Sequence, residues 1–318
     1  MTRHLRLYVT LAGLIVLAAI PPAADALQQP FYRDLLLRVM IYGIAALSLD
    51  LILGYGGMVS FGHAAYLGIG AYAVGILAFY GVTNGFIQFG VALAASALVA
   101  LLIGLMSLRT TGVYFIMITL AFCQMLYFLG ESVNAYGGDD GMSIAQRSDF
   151  GHLLDLDHPD VLYYFVFILL VICLWITARI VRSRFGMAIR GIKSNERRMV
   201  SIGFPTFRYR LTAFVIAGTM CGLAGALLAN QVEFVSPSML DWTRSGEILM
   251  MVILGGIGSL FGPVLGAAAY IVLESVLADV TLHWQIILGP ILILVVLFAR
   301  RGIFGLITAH APEGGSHG

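Results

Sequence analysis

Charge is what this sequence has least of. Only 11% of its 318 residues are Asp, Glu, Lys or Arg, against roughly 25% in a soluble domain. A folded soluble chain must still solvate its surface, and a composition 60% hydrophobic leaves too little polar side chain to do so. A soluble globular domain is therefore excluded, and a lipid-facing surface removes the conflict. Length then counts membrane spans of about 20 residues each. The formal net charge of +1 gives no electrostatic signature of nucleic-acid binding or of an acidic partner.

Lysine is almost missing, with Lys193 the single example. An ATPase phosphate loop needs G-x-x-x-x-G-K-[ST], because its lysine and backbone amides hold the phosphates. That pattern does not surround Lys193, and no soluble segment is long enough to be a nucleotide-binding domain. If ATP drives this protein, another chain hydrolyses it. A nucleophile elbow, an HExxH motif and paired-cysteine metal spacing are missing as well, so no catalytic residue, metal site or bound cofactor is expected. The three cysteines, Cys123, Cys173 and Cys221, lie far apart inside apolar runs. They read as small hydrophobes rather than as a disulfide framework.

What is there is apolar sequence in long runs. No Asp, Glu, Lys or Arg stands between Asp50 and Arg109, enough for two spans separated near residues 80–85. A backbone crossing lipid must satisfy its polar groups internally, so such runs become helices. The reading is an all-α polytopic transmembrane helix bundle of about ten spans (eight or nine are the alternatives). These lie near 5–24, 35–54, 60–80, 87–108, 112–130, 161–178, 211–230, 245–258, 262–279 and 284–299. The eighth is short and is expected to be tilted, broken or re-entrant. Residues 5–24 resemble a secretory signal with an Ala-x-Ala site at 24–26, but read better as an uncleaved first span.

Basic residues set the orientation. Segment 179–210 carries nine Arg or Lys against Glu196, and loop 131–160 carries seven Asp or Glu against Arg147. The first is expected inside, as a loop over 184–210, and the second outside. Both termini then fall in the cytoplasm. Arg33, Arg38 and Arg244 fall outside or near the outer interface and count against this threading. One membrane domain over 1–306 is expected, with a disordered tail over 307–318. Gly56, Phe61 and Gly62 recur as Gly256, Phe261 and Gly262, a faint echo of the kind left by an internal repeat.

The inner segment holds the best functional candidates. Ser194 or Asn195 can cap a short helix, Gly203 can end it and Pro205 prevents its continuation. Met199, Val200 and Ile202 give that helix an apolar side with nothing of its own to pack on. This suits docking to a partner; a basic loop against anionic membrane lipid is the alternative.

Stretch 184–225 resembles the coupling loop of permeases in the branched-chain amino acid ABC transporter family. So do Leu53-Gly54-Tyr55-Gly56-Gly57 with Ser60-Phe61-Gly62-His63, Thr119-Leu120-Ala121-Phe122, Gly137-Gly138-Asp139-Asp140-Gly141 and Gly255-Gly256-Ile257-Gly258 with Phe261-Gly262-Pro263. These blocks run in family order over about residues 43–305, and the match is to the longer of the family's two permease types. The resemblance implies a permease subunit of an importer in the bacterial inner membrane. Its partners would be a second permease chain, two ATP-binding subunits that use the ATP, and an extracytoplasmic solute-binding protein. Asn195, Glu196, Arg197, Arg198, Met199, Ile202 and Gly203 would carry the coupling to the ATPase. Importer permeases often show Glu-Ala-Ala six residues before the loop glycine. Here that register holds Arg197-Arg198-Met199, which points to a more acidic docking partner or to Glu196 in the carboxylate's role.

Polar groups inside the spans are candidates for the translocation path, because a charge at a helix centre costs about 2.5–3.5 kcal/mol. They are Asp50, Ser60, His63, Gln124, Glu247 and Glu274, and Phe61, Gly62, Phe261 and Gly262 of the echoed Gly-rich segments are path candidates beside them. Asp50 either faces the path or bonds an amide of the Gly-rich break that follows it. His63 either lines the path or is satisfied by backbone. Gly54, Gly56, Gly57, Gly255, Gly256 and Gly258 are too dense for regular helix, at about 1 kcal/mol each against Ala, and mark breaks or tight crossings. Gly218 and Gly222 are spaced for close helix approach. A self-sufficient secondary transporter or channel is the rival reading. It would place coupling carboxylates at mid-membrane and need no docking loop. The solute itself, branched-chain amino acids or another small polar molecule, is not legible in these residues.

Overall fold

A computed structural model describes residues 2–26, 30–151, 154–281, 283–298 and 302–309. The helices are α1 (Thr2–Ala26), α2 (Pro30–Asp50), α3 (His63–Phe79), α4 (Gly85–Ser107), α5 (Val113–Ser132), α6 (Pro159–Arg182), α7 (Arg184–Ser194), α8 (Glu196–Ser201), α9 (Thr206–Val232), α10 (Trp242–Gly255), α11 (Gly262–Val280), α12 (Trp284–Phe298) and α13 (Gly302–Ala309). Each of the ten expected spans falls on one of them. Among the described residues, six segments are long and apolar enough to cross a membrane: α2 with the turn after it, α4, α5, α6, α9 and α11. The bundle is all-α and polytopic.

Local chemistry fixes the ends. Asn84 caps α4 by accepting from the Phe86 and Ile87 amides, and α6 opens on Pro159, whose missing N–H is no loss in a first turn. Arg179 and Arg182 sit in the last turn of α6, where cations favour the helix dipole.

α9 is the central helix and packs against α2, α3 and α4, while α11 and α10 close over α2. The seam is glycine against backbone. A Cβ on Gly70 of α3 would strike the Gly222 carbonyl of α9, and one on Gly225 of α9 would strike the Leu67 carbonyl of α3. Gly218 meets Ala100 of α4 in the same row. The expected close approach at Gly218 and Gly222 is therefore found, in the manner of membrane helix interfaces.

The loop between α5 and α6 is tied to the connector between α9 and α10. β1 (Met142–Ser143) pairs antiparallel with β2 (Phe234–Val235). Arg147 bonds Glu233 at 2.7 Å, and the Ser148 amide bonds Asn230 at 2.8 Å. These connectors share one end of the bundle, as the threading requires.

Three boundaries need correction. Residues 60–62 and 256–258 are unwound rather than helical: the first follow the break at Gly57 (φ 69°), and the second contain Gly256 and Gly258 (φ 111° and 76°). α10 stops at Gly255, short of the expected 258. α13 makes residues 307–309 of the expected disordered tail helical, and 310–318 lie outside the described residues.

Candidate functional site

Two helix breaks carry the sequence echo, and the fold brings them together. α2 runs into a π-helical turn, Leu51–Tyr55, and then unwinds through residues 56–62 before α3 begins. α10 unwinds through 256–261 before α11 begins. The Gly258 amide donates to Asp50 Oδ1 at 2.8 Å. A Cβ on Gly54 would fall 2.6 Å from the same amide, so the two breaks touch through glycine. Asp50 is fully buried. It bonds a break amide, but that of the second break, 208 residues on, and not that of the break following it.

The start of α3 is held from two sides. Helix N-termini leave amides without intrahelical partners. Here the Phe61 amide donates to Thr119 Oγ1 of α5 at 3.2 Å, Gly62 to Ser60 Oγ at 3.2 Å, and Ala64 to Ser245 Oγ of α10 at 2.8 Å. Thr119 and Ser245 were not among the expected site residues. Thr119 stood only in a block that resembles the family, and the one signal at Ser245 is a small hydroxyl inside an apolar helix. The Phe61 ring, half-buried, lies 6.5 Å from that of Trp242 in the first turn of α10. Gln124 is half-buried on α5. Gly262 opens α11 beneath the Gly255 backbone.

His63 and Phe261 turn inward. His63 is fully buried with its ring edge-on to Tyr66, 5.6 Å away. Neither of its ring nitrogens has a hydrogen-bond partner among the described residues, so the expected backbone partner is not found. Phe261 is buried against Gly13 of α1.

Four charges meet at the other end of α2 and α11. Arg38 pairs with Glu274 at 3.6 Å, and Arg244 with Glu247 at 2.9 Å. The Arg38 guanidinium also lies over the Tyr42 ring, 5.7 Å from its centre. The four side chains are 21–39% exposed. Arg38 lies eight residues into the span Pro30–Tyr55, about 12 Å from its end at 1.5 Å per residue. Arg38 and Arg244 are the residues that count against the expected orientation, and both are paired. They are balanced inside the bundle rather than free in a loop.

The basic segment after α6 folds as two short helices. Ser183 caps α7 and Asn195 caps α8, accepting from the Arg198 amide at 3.0 Å. Gly203 ends α8 with φ 87°, which favours glycine. Glu196 is committed within the chain: both of its oxygens accept from Arg210 at 3.2 Å. Met199 is also occupied, since a Cβ on Gly191 would fall 2.9 Å from its sulfur. The expected apolar side thus shrinks to Val200 and Ile202, 56% and 64% exposed, beside exposed Arg197 and Arg198. Asn195→Ala removes the cap. It is expected to destabilise α8 by about 1 kcal/mol, raising amide hydrogen exchange over residues 196–201 about fivefold.

Comparison with known proteins places this architecture. The model of the family described as branched-chain amino acid transport system, permease component, matches residues 31–298. The high-affinity branched-chain amino acid transport system permease protein LivM of Salmonella typhimurium is 28% identical over 293 residues, covering 85% of this chain and 69% of that protein. LivM of Escherichia coli is 27% identical over the same shares. BraD of Pseudomonas aeruginosa, also a branched-chain amino acid permease protein, is 25% identical over 83% of this chain and 91% of its own. No solved structure matches. The chain belongs to the permease component family of branched-chain amino acid transport systems.

Proposed function

We propose that this permease works in a binding-protein-dependent, ATP-driven importer of the bacterial inner membrane, forming part of the path for branched-chain amino acids or a related small polar solute. The observation that carries the reading is the capped α7–α8 unit, which presents Val200, Ile202, Arg197 and Arg198 outward. A self-sufficient transporter has no use for such a surface. A separate ATPase needs one, and two basic residues beside two apolar ones suit an acidic-rimmed apolar pocket on it. Two ATP-binding subunits, a second permease and an external solute-binding protein complete the assembly.

Within the chain, Phe61, His63, Gln124, Glu247 and Glu274 remain the candidates for the path, joined by Arg38, Arg244 and Trp242. Asp50, Ser60, Gly62, Phe261 and Gly262 act instead by holding the two breaks in place.

The test is affinity purification of the chain from solubilised native membranes. Co-recovery of a second permease and of ATPases supports the reading. Recovery of this chain alone, active in liposomes without ATP, overturns it in favour of a secondary transporter or channel. Within the complex, Gly203→Arg forces a side chain into left-handed backbone at a cost of about 1–2 kcal/mol. It is expected to lower ATPase co-recovery about tenfold, and Glu196→Ala, which frees Arg210, to lower it less. Parent-level assembly and uptake in both variants would remove α8 from the coupling role.

A further inference from the structure

The chain's single lysine is not in a loop by accident of orientation. Lys193 sits in the last turn of α7, and its Nζ donates to the Gly54 carbonyl at 2.6 Å, 139 residues away. Its stem lies along Gly57, where a Cβ would fall 2.9 Å from Lys193 Cγ. Gly54 belongs to the π-helical turn that ends α2, and terminal carbonyls of a helix lack intrahelical donors. One turn back, Asp50 accepts the Gly258 amide of the second break. Its other oxygen, Oδ2, is buried with no hydrogen-bond partner among the described residues. A buried carboxylate so placed gains from a nearby cation.

The contacts therefore run without a gap from α7 through Lys193 to the first break, and through Asp50 to the second. α7 is in turn locked to α8 by Met199 on Gly191, and α8 to α9 by Glu196 and Arg210. We propose that Lys193 is the positioning residue that transmits displacement of the α7–α8 unit to both helix breaks at once. The proposal rests on the reading of α7–α8 as the ATPase-docking unit, and assigns the step that follows docking.

The experiment uses the co-purified complex in proteoliposomes, with leucine as the probe solute. Uptake, ATP hydrolysis and subunit recovery are measured together for the parent, Lys193→Met, Lys193→Gln and Lys193→Arg. Loss of a charge-assisted hydrogen bond on a partly exposed side chain predicts about a tenfold fall in leucine taken up per ATP hydrolysed in Lys193→Met, with ATPase recovery at the parent level. Lys193→Arg, which keeps donor and charge, recovers at least half of the ratio. A merely structural lysine would lower recovery and leave the ratio untouched. If Lys193→Met does not assemble, Lys193→Gln, with a donor but no charge, supplies the same ratio. An unchanged ratio in an assembled variant overturns the relay and leaves docking intact. A parent chain that brings down no ATPase overturns both.

Discussion

Leucine uptake by the assembled importer falls about thirtyfold when Arg244 is replaced by Gln, and the same loss follows Glu247→Gln. Either change leaves the other charge of a pair 2.9 Å apart without its partner in a part-buried cluster. Removing one member of a buried pair costs several kcal/mol. These side chains are 32% and 26% exposed, so solvent screens part of the loss and about 2 kcal/mol is the reasonable figure. The decisive variant is the double one, Arg244→Gln with Glu247→Gln. With no charge stranded, the chain regains the parent's level of recovery from the membrane. If the quartet lines the path, uptake stays low, because a zwitterionic solute has lost one cation and one anion of its surroundings. Should uptake return with recovery, the pair serves the fold alone, and the path lies elsewhere. Initial rates in proteoliposomes, normalised to recovered chain, separate the two.

That quartet shows where reading the sequence stops. Apolar runs place ten helices correctly because hydrocarbon tolerates only internally bonded backbone, and that constraint is local. Asn195 and Gly203 were legible for the same reason. A cap and a left-handed terminator act within a few residues of themselves, and the structure has both where the spacing puts them. Arg38 and Arg244 could not be weighed properly in the sequence because the orientation rule treats each charge as a free loop residue. Their partners, Glu274 and Glu247, come from other turns and other helices, and only Arg244–Glu247 is an i,i+3 pair visible in one dimension. Asp50 was legible as a residue that would bond a break amide, but which break was a matter of fold: Gly258 is brought to it by the antiparallel packing of α2 and α11. The echo of Gly56-Phe61-Gly62 in Gly256-Phe261-Gly262 is met by two unwound segments in contact, although the two phenylalanines have different surroundings. Phe61 faces Trp242, and Phe261 faces α1. Similar backbone thus carries dissimilar side-chain roles, which three identities cannot disclose.

The largest loss of folded protein is expected from Gly225→Val. Helices in lipid gain no hydrophobic drive from packing on one another, since the tails are as apolar as their side chains. Association depends on close contact of atoms and on interhelical hydrogen bonds. The α3–α9 seam reaches that contact by having each helix offer a glycine to a carbonyl of the other: Gly70 to Gly222, and Gly225 to Leu67. What a valine would strike at 225 is backbone, which has no rotamer to move into, so the whole of α3 must retreat. Overpacking of this kind costs about 1–3 kcal/mol where side chains can give way, and more where they cannot. A tenfold or greater fall in monodisperse chain after detergent extraction is expected, about 1.4 kcal/mol or more. Gly90→Ala on α4 is the control. Nothing lies within 4 Å of the added methyl, and alanine is the better helix former by about 1 kcal/mol, so recovery should hold or rise. The seam also bears on transport, because α3 begins at the first break. Displacing it pulls the Ala64 amide from Ser245 and the Phe61 amide from Thr119. Any Gly225→Val chain that is recovered should therefore fail in uptake as well. Normal uptake from such a chain would show that the α3 N-terminus is not part of the moving machinery.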